Sequence, residues 1–267
     1  MRRTSFSLFL IIIGCLLSGP FLTGCGSGKE GTDPEEVNLL DLLQADGTVK
    51  RDLTIESTAK GRTMKYSVWL PPGFDAKNTY PFLYLLHGYG DDNNSWLDKG
   101  GAQKIARDYY QKNKVPFVIV MPDGLTDFYQ GNWESYFQTE LMPEVEKLFH
   151  CNGKRAVAGL SMGGYGTLCN VLAHPDRFVY GYAMSPATNP AFEDLMKEKD
   201  AGAFPPITME SGTQDFTVSI QSVRDFASLL DKYGIKYEFI ERDGGHDWNF
   251  WPECLRKALV KIAEAFS

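Results

Sequence analysis

Gly159-Leu160-Ser161-Met162-Gly163-Gly164 follows the apolar pair Val157-Ala158 and leads into a helix-forming stretch. The run reads as a serine carried on a sharp turn from a buried strand into a helix. Glycines on both sides are required there, because a side chain would clash with the tight backbone and the close helix packing. Such a turn lifts the Ser161 hydroxyl to the C-terminal edge of a sheet. It also aims the first N–H groups of the next helix at whatever the serine attacks, where they stabilise a developing negative oxygen.

A serine hydroxyl is a poor nucleophile at neutral pH, so this reading requires a histidine to take its proton and an acid to orient that histidine. In the chain order kept by serines on such elbows, both lie downstream. Of the four histidines, His87 and His150 precede the serine, and His174 ends the elbow helix several turns away. His246, in Asp243-Gly244-Gly245-His246-Asp247-Trp248 between a strand and the final helix, is the expected base. The stretch Ile207-Thr208-Met209-Glu210-Ser211-Gly212-Thr213-Gln214-Asp215 reads as a buried strand running into a loop, and Asp215 is the expected acid. Asp243 and Asp247 are the alternatives: Asp247 adjoins His246 too closely for a good side-chain hydrogen bond, and Asp243 suits a turn. A second apolar run, Tyr80-Pro81-Phe82-Leu83-Tyr84-Leu85-Leu86, has the pattern of a fully buried parallel strand and opens into His87-Gly88-Tyr89-Gly90. The backbone N–H groups of Tyr89 and Met162 are the expected oxyanion donors, with His87 a structural residue of its loop.

Together, His87-Gly88-Tyr89-Gly90, Gly159-Leu160-Ser161-Met162-Gly163-Gly164-Tyr165-Gly166, Ser211-Gly212-Thr213-Gln214-Asp215 and Gly244-Gly245-His246-Asp247-Trp248 resemble the motifs of the esterase D-type esterases. That α/β-hydrolase family includes family-one carbohydrate esterases such as feruloyl and acetylxylan esterases. Its relatives include formylglutathione hydrolases, siderophore esterases and mycolyl transferases. The resemblance runs from about Asp52 to the C-terminus, and Trp133-Glu134-Ser135-Tyr136 before Glu140-Leu141-Met142-Pro143 also fits it. The chain departs from the common pattern at Cys151-Asn152-Gly153-Lys154, ahead of the elbow strand, and has only a modest segment between Pro186 and Pro205. The resemblance implies a serine carboxylic-ester hydrolase removing feruloyl or acetyl groups from plant-type polysaccharide fragments. A siderophore esterase or an acyltransferase is the alternative, and a non-catalytic hydrolase-like binding protein a remote one. Trp96, Tyr129, Trp133, Tyr136 and Trp248 fall near the site loops, either as stacking surfaces for a sugar or cinnamoyl ring or as packing.

The N-terminus carries Arg2 and Arg3, an apolar stretch from Phe6 to Leu17, and Leu22-Thr23-Gly24-Cys25. Ser18, Gly19 and Pro20 break the stretch short of the roughly 20 apolar residues a membrane span needs, so residues 1–24 read as a signal peptide. Leu-Thr-Gly-Cys resembles a bacterial lipobox, which makes Cys25 the lipidated residue; Cys15 would leave too short an apolar region. Residues 25–50 then form a polar, Gly-rich tether and lead-in, placing residues 51–267 as one esterase domain outside the cytoplasm, held to a membrane in the cell envelope. A net charge of −7 with no basic run after the signal argues against nucleic acid as a partner. With Cys25 lipidated, Cys151, Cys169 and Cys254 allow at most one intrachain bridge, and no Cys/His spacing resembles a zinc site. Neither metal nor cofactor is expected.

Strands are expected at 53–56 and 64–70 as an antiparallel opening pair, then at 81–86, 116–121, 155–158, 179–184, 207–212 and 237–241. Helices are expected near 102–112, 134–149, 191–197, 218–233 and 252–266, besides the one after Ser161. The alternation predicts an α/β fold with a mostly parallel central sheet, helices on both faces and no large lid domain.

Overall fold

The computed structural model describes residues 49–267. The signal peptide, Cys25 and the tether lie outside the described residues. A single eight-stranded sheet has the order β1-β2-β4-β3-β5-β6-β7-β8. Strands β1 (Val49–Ser57) and β2 (Arg62–Trp69) form the antiparallel opening pair, and β2 also runs antiparallel to β4 (Val118–Pro122). From β4 onward all neighbours are parallel: β3 (Tyr80–Leu86), β5 (Cys151–Leu160), β6 (Tyr180–Met184), β7 (Ile207–Gly212) and β8 (Tyr237–Arg242).

Every residue of β3 and β4 is buried, as unbroken apolar runs in a sheet covered on both faces should be. Alternate side chains of β3 feed two cores. Phe82, Tyr84 and Leu86 pack with α3 (Asn132–Tyr136), α4 (Met142–Leu148), α5 (Met162–Ala173), α6 (Phe192–Met196) and α7 (Ile220–Lys232), while Leu83 and Leu85 pack with α1 (Ser95–Asp98), α2 (Ala102–Asn113) and α8 (Trp251–Phe266). Helix α8 buries Trp251, Cys254, Leu255, Ala258, Leu259, Ile262 and Phe266, the one-sided spacing of a helix laid on a sheet. Between β6 and β7 stand only α6 and a single 3₁₀ turn at Ala201–Ala203, so no lid domain interrupts the sheet edge. Among the described residues no helix is long and apolar enough to cross a membrane.

Two local readings are corrected. The helix expected over 134–149 is broken into α3, a π turn at Phe137–Leu141, and α4. Pro143 has no N–H to donate and its ring crowds the carbonyl four residues back, so the chain widens one turn ahead of it. Cys151–Lys154, expected to precede the elbow strand, belongs to β5. Between the pairs Tyr80↔Cys151 and Phe82↔Arg155 the register shifts, and Gly153 adopts φ 92° in this bulge.

Glu210 of β7 is fully buried, and its carboxylate ties four elements together. It accepts hydrogen bonds from Tyr182 of β6 (2.5 Å), Lys257 of α8 (2.8 Å) and Arg242 of β8. Burial works to raise its pKa, but Lys257, Tyr182 and Arg242 outweigh it and hold the carboxyl below the usual glutamate value. The stability it contributes is therefore fully present above the ordinary carboxylate range and is lost as pH falls through the depressed folded value. Glu210→Ala should cost about 3 kcal/mol, the low end for a broken buried ion pair because Lys257 and Arg242 keep access to water. Urea denaturation at neutral pH measures that loss, and it should shrink in acid.

Candidate active site

Ser161 lies between β5 and α5 at φ 53°, ψ −113°, a region that non-glycine residues avoid. Its N–H donates to the Met184 carbonyl of β6 at 2.8 Å, and its own carbonyl accepts from Tyr165 N–H at 2.9 Å. The strained residue is thus fixed from both sides. The turn is so close to β3 that a Cβ on Gly163 would overlap the Leu86 carbonyl oxygen and lie 2.7 Å from that of His87, and a Cβ on Gly159 would meet Gly163 backbone. These are backbone obstacles that cannot rotate away.

The residues expected around Ser161 converge on it. His246 Nε2 stands 2.8 Å from Ser161 Oγ, and His246 Nδ1 stands 2.7 Å from Asp215 Oδ2. The other Asp215 oxygen accepts from the N–H groups of Thr217 (2.9 Å) and Val218 (2.8 Å), and the side chain is wholly buried. Burial pushes the Asp215 carboxyl up, but the hydrogen bonds from His246 and from Val218 and Thr217 hold it below the usual aspartate value. An ionised acceptor on Nδ1 leaves that nitrogen carrying the ring proton and Nε2 free to accept the serine proton. Neither alternative acid faces the imidazole through these bonds: Asp243 accepts from the Thr213 hydroxyl (3.2 Å), and Asp247 from the N–H groups of Asn249 (2.8 Å) and Phe250 (3.2 Å) ahead of α8.

The acid and base loops lie back to back. A Cβ on Gly212 would overlap the Gly244 carbonyl, and Gln214 N–H donates to that same oxygen at 3.0 Å. The base loop is also gripped from behind, where Arg242 donates to the Phe250 carbonyl (2.7 Å) and stacks 3.5 Å from the Phe250 ring centroid.

The loop after β3 passes against Ser161, since a Cβ on Gly88 would stand 3.7 Å from Ser161 Cβ. His87 is buried beneath it. Gly124 N–H donates to His87 Nε2 at 2.7 Å, so Nε2 is an acceptor and Nδ1–H donates to the Gly88 carbonyl at 2.7 Å. A neutral, fully used imidazole is a structural residue, as expected of His87. Met162 opens α5, where the first N–H groups have no acceptor within the helix, and Tyr89, in the loop after β3, lines the cleft with Ser161.

A cleft of about 460 Å³ opens over Ser161 and His246, walled by Tyr89, Leu160, Thr217, Trp248 and Trp251. Of the aromatic residues considered for substrate contact, only Trp248 borders it. Trp96, Tyr129, Trp133 and Tyr136 are at most 1% exposed and belong to the cores. Trp133 stacks on Phe137 and donates to the Asp123 carbonyl (3.0 Å), and Trp96 donates to the Leu86 carbonyl (2.9 Å) with its ring edge-on to Trp248. A tryptophan near a loop in sequence does not reveal which way it points; the recurrence of Trp133, Tyr136, Phe137 and Leu141 at helical spacing was the available sign of a core face. Sequence reasoning missed Thr217, the Tyr89 side chain (65% exposed) and Trp251, which meets the His246 ring edge-on at 5.0 Å. It also missed Phe216, 97% exposed beside Asp215.

Cys151, Cys169 and Cys254 are all free thiols, and burial pushes both Cys169 and Cys254 up to about 12. Among the described residues, no group of three or more His, Cys, Asp or Glu side chains converges as a metal site.

Residues 57–262 match the family model described as "Putative esterase". The chain is 30% identical over 233 residues to an endo-1,4-beta-xylanase/feruloyl esterase of Xylanibacter ruminicola, covering 79% of this chain but only 31% of that longer protein. It is 28% identical over 223 residues to an acetyl esterase of Caldicellulosiruptor saccharolyticus, covering 66% of this chain and 81% of that one. Among solved structures, a ferulic acid esterase superposes with a TM-score of 0.75 at 26% identity, covering 83% of this chain and 99% of that chain.

The elbow's closeness to β3 makes its middle glycine the most sensitive backbone position at the site. Gly163→Ala should lower stability by about 1–3 kcal/mol or more through overpacking against fixed carbonyls, seen as a reduced melting temperature together with loss of Ser161 labelling by a fluorophosphonate.

Proposed function

The chain belongs to the Esterase family and is a carboxylic ester hydrolase; from that premise we propose that Ser161, His246 and Asp215 form its catalytic triad and that its substrates are feruloyl or acetyl esters of plant-type polysaccharide fragments. The observation that carries this reading is the unbroken relay Ser161 Oγ to His246 Nε2 (2.8 Å) and His246 Nδ1 to Asp215 Oδ2 (2.7 Å) at the floor of an open cleft.

In this mechanism Ser161 Oγ attacks the ester carbonyl carbon as His246 Nε2 takes the hydroxyl proton. The carbonyl oxygen becomes an oxyanion held by the backbone N–H groups of Tyr89 and Met162. Collapse of the tetrahedral intermediate breaks the bond to the alcohol, which leaves with the proton from His246, and the acyl group stays on Ser161. Water then gives a proton to His246 and attacks the acyl-enzyme, the second collapse frees the acid, and Ser161 recovers its proton. Asp215 remains ionised throughout and stabilises the imidazolium formed in each half-reaction.

The substrate class draws support from the relatives, named as a xylanase/feruloyl esterase and an acetyl esterase, and from the cleft itself, whose Tyr89 and Trp248 walls suit a flat ring. On the same reading Cys25 is lipidated after removal of residues 1–24 and holds the domain to a cell-envelope membrane, outside the cytoplasm. Arg2 and Arg3, the apolar stretch to Leu17 and Leu22-Thr23-Gly24-Cys25 support it.

Acid release from methyl ferulate, acetylated xylan and a triscatecholate siderophore tests the proposal, with Ser161→Ala as the blank. Ferulate or acetate release should dominate and vanish in Ser161→Ala, while Asp215→Asn should lower kcat on the order of 10⁴-fold, as loss of the orienting acid does in serine hydrolases of this kind. Cleavage of the siderophore alone would reject the substrate class. Full activity in the Ser161→Ala protein would reject the triad.

A further inference from the structure

Asp91 is a wall shared by the Ser161 cleft and a second cavity of about 570 Å³, lined by Lys60, Arg62, Asp123 and Asp127. Arg62 and Asp123 in turn border a third cavity of about 290 Å³ that reaches Asn93. Through these shared residues the three lie side by side as a trough that borders Gly90. Its character changes along the way, from the aromatic walls around Ser161 to a surface of fixed charges of both signs.

Those charges are largely held in place. Lys60 is paired with Asp127, Lys99 with Asp91 at 2.5 Å, and Asp123 accepts from Leu125 N–H at 2.8 Å. Burial works to raise the Asp123 carboxyl, while Leu125 N–H and nearby Arg62 work to lower it. Arg62 lines both cavities, and none of the hydrogen bonds or ion pairs among the described residues uses its guanidinium. Such alternating donors and acceptors suit neutral hydroxyl groups better than a single strong charge.

The outer wall is the loop after β4, where Leu125 (φ 52°), Phe128 (φ 52°) and Tyr129 (φ 58°) all take left-handed backbone conformations. Strain of this kind persists only where the surroundings over-determine it, and it gathers at ligand-binding surfaces. Here the loop is bolted to the β3 loop through Gly124 N–H on His87 Nε2 (2.7 Å) and the Tyr129 hydroxyl on the His87 carbonyl (2.8 Å). In the Ser161 cleft stands the exposed Tyr89 ring, tilted against Phe128 of the β4 loop with 6.1 Å between centroids.

We infer that the trough is the subsite for the sugar chain of an acylated oligosaccharide, with Arg62 and Asp123 hydrogen-bonding its hydroxyls and Tyr89 carrying a sugar ring on its face. The inference rests on the reading of Ser161 as an esterase nucleophile, and it places the alcohol side of the ester toward Gly90.

Steady-state kinetics of the wild type and Arg62→Ala on methyl ferulate and on a feruloylated arabinoxylan oligosaccharide test it. In parallel, Ser161→Ala and Ser161→Ala/Arg62→Ala are titrated calorimetrically with the unesterified oligosaccharide. The preference for the oligosaccharide ester over the methyl ester should drop about tenfold in Arg62→Ala, through KM, as expected for loss of a hydrogen bond from a charged donor. Oligosaccharide binding should weaken by a similar factor, and Arg62→Lys should recover part of both. Equal losses on the two esters, or no oligosaccharide binding to Ser161→Ala, would overturn the inference. A wild type inert toward both esters whose oligosaccharide binding still depends on Arg62 would overturn the esterase reading while leaving the sugar subsite standing.

Discussion

Everything at the site follows from holding one serine at φ 53°, ψ −113°. No serine rests there unaided, because its Cβ is crowded by its own backbone. The compulsion comes from the sheet. Strand β5 is locked between β3 and β6, the Ser161 N–H is tied to Met184, and α5 must leave directly over the end of β3, a path open only to a residue without a side chain at position 163. The hydroxyl points where it does because the backbone beneath it has no alternative.

The base and the acid are positioned by the same sheet from its other half. Asp215 and His246 follow β7 and β8, neighbouring strands whose loops press together where Gly212 meets Gly244. Behind them, Glu210 joins β7, β8 and α8 through Arg242 and Lys257, and Arg242 extends that grip to the Phe250 carbonyl at the end of the base loop. None of these groups touches the cleft. They convert the spacing of two strands into the distance between an imidazole and a hydroxyl.

Much of this was legible in the sequence, for identifiable reasons. The elbow glycines, the apolar runs of β3 and β4 and the order serine, aspartate, histidine are local patterns with one physical meaning each, and they gave the sheet and the three side chains that meet at Ser161. His87 was read as structural from its place before the elbow, and the Gly88 and Gly124 bonds to its ring supply the reason. What failed was direction. Trp96, Trp133 and Tyr136 look alike on paper to Trp248, yet only burial separates them, and burial depends on which face of a helix or loop meets the sheet. The π turn before Pro143 and the bulge at Gly153 were hidden because each arises from pairing with a distant partner or from a break within a run that otherwise reads as regular. Arg242 and Glu210 carry no motif at all.

The strand order has a consequence for how the molecule comes into being. β3 is one of the two central strands, and its neighbours are β4, beginning at Val118, and β5, ending at Leu160, with a helix-bearing connection before each. Parallel pairings across such separations must bear the entropy of closing a long loop before any contact repays it, so they assemble late. Until β5 has docked, the stretch around Ser161 is an ordinary Gly-rich turn with relaxed dihedral angles. The strained geometry at Ser161 is therefore a property of closure and not of any segment: a chain whose sheet has not closed around β5 does not hold Ser161 at the angles of the folded turn.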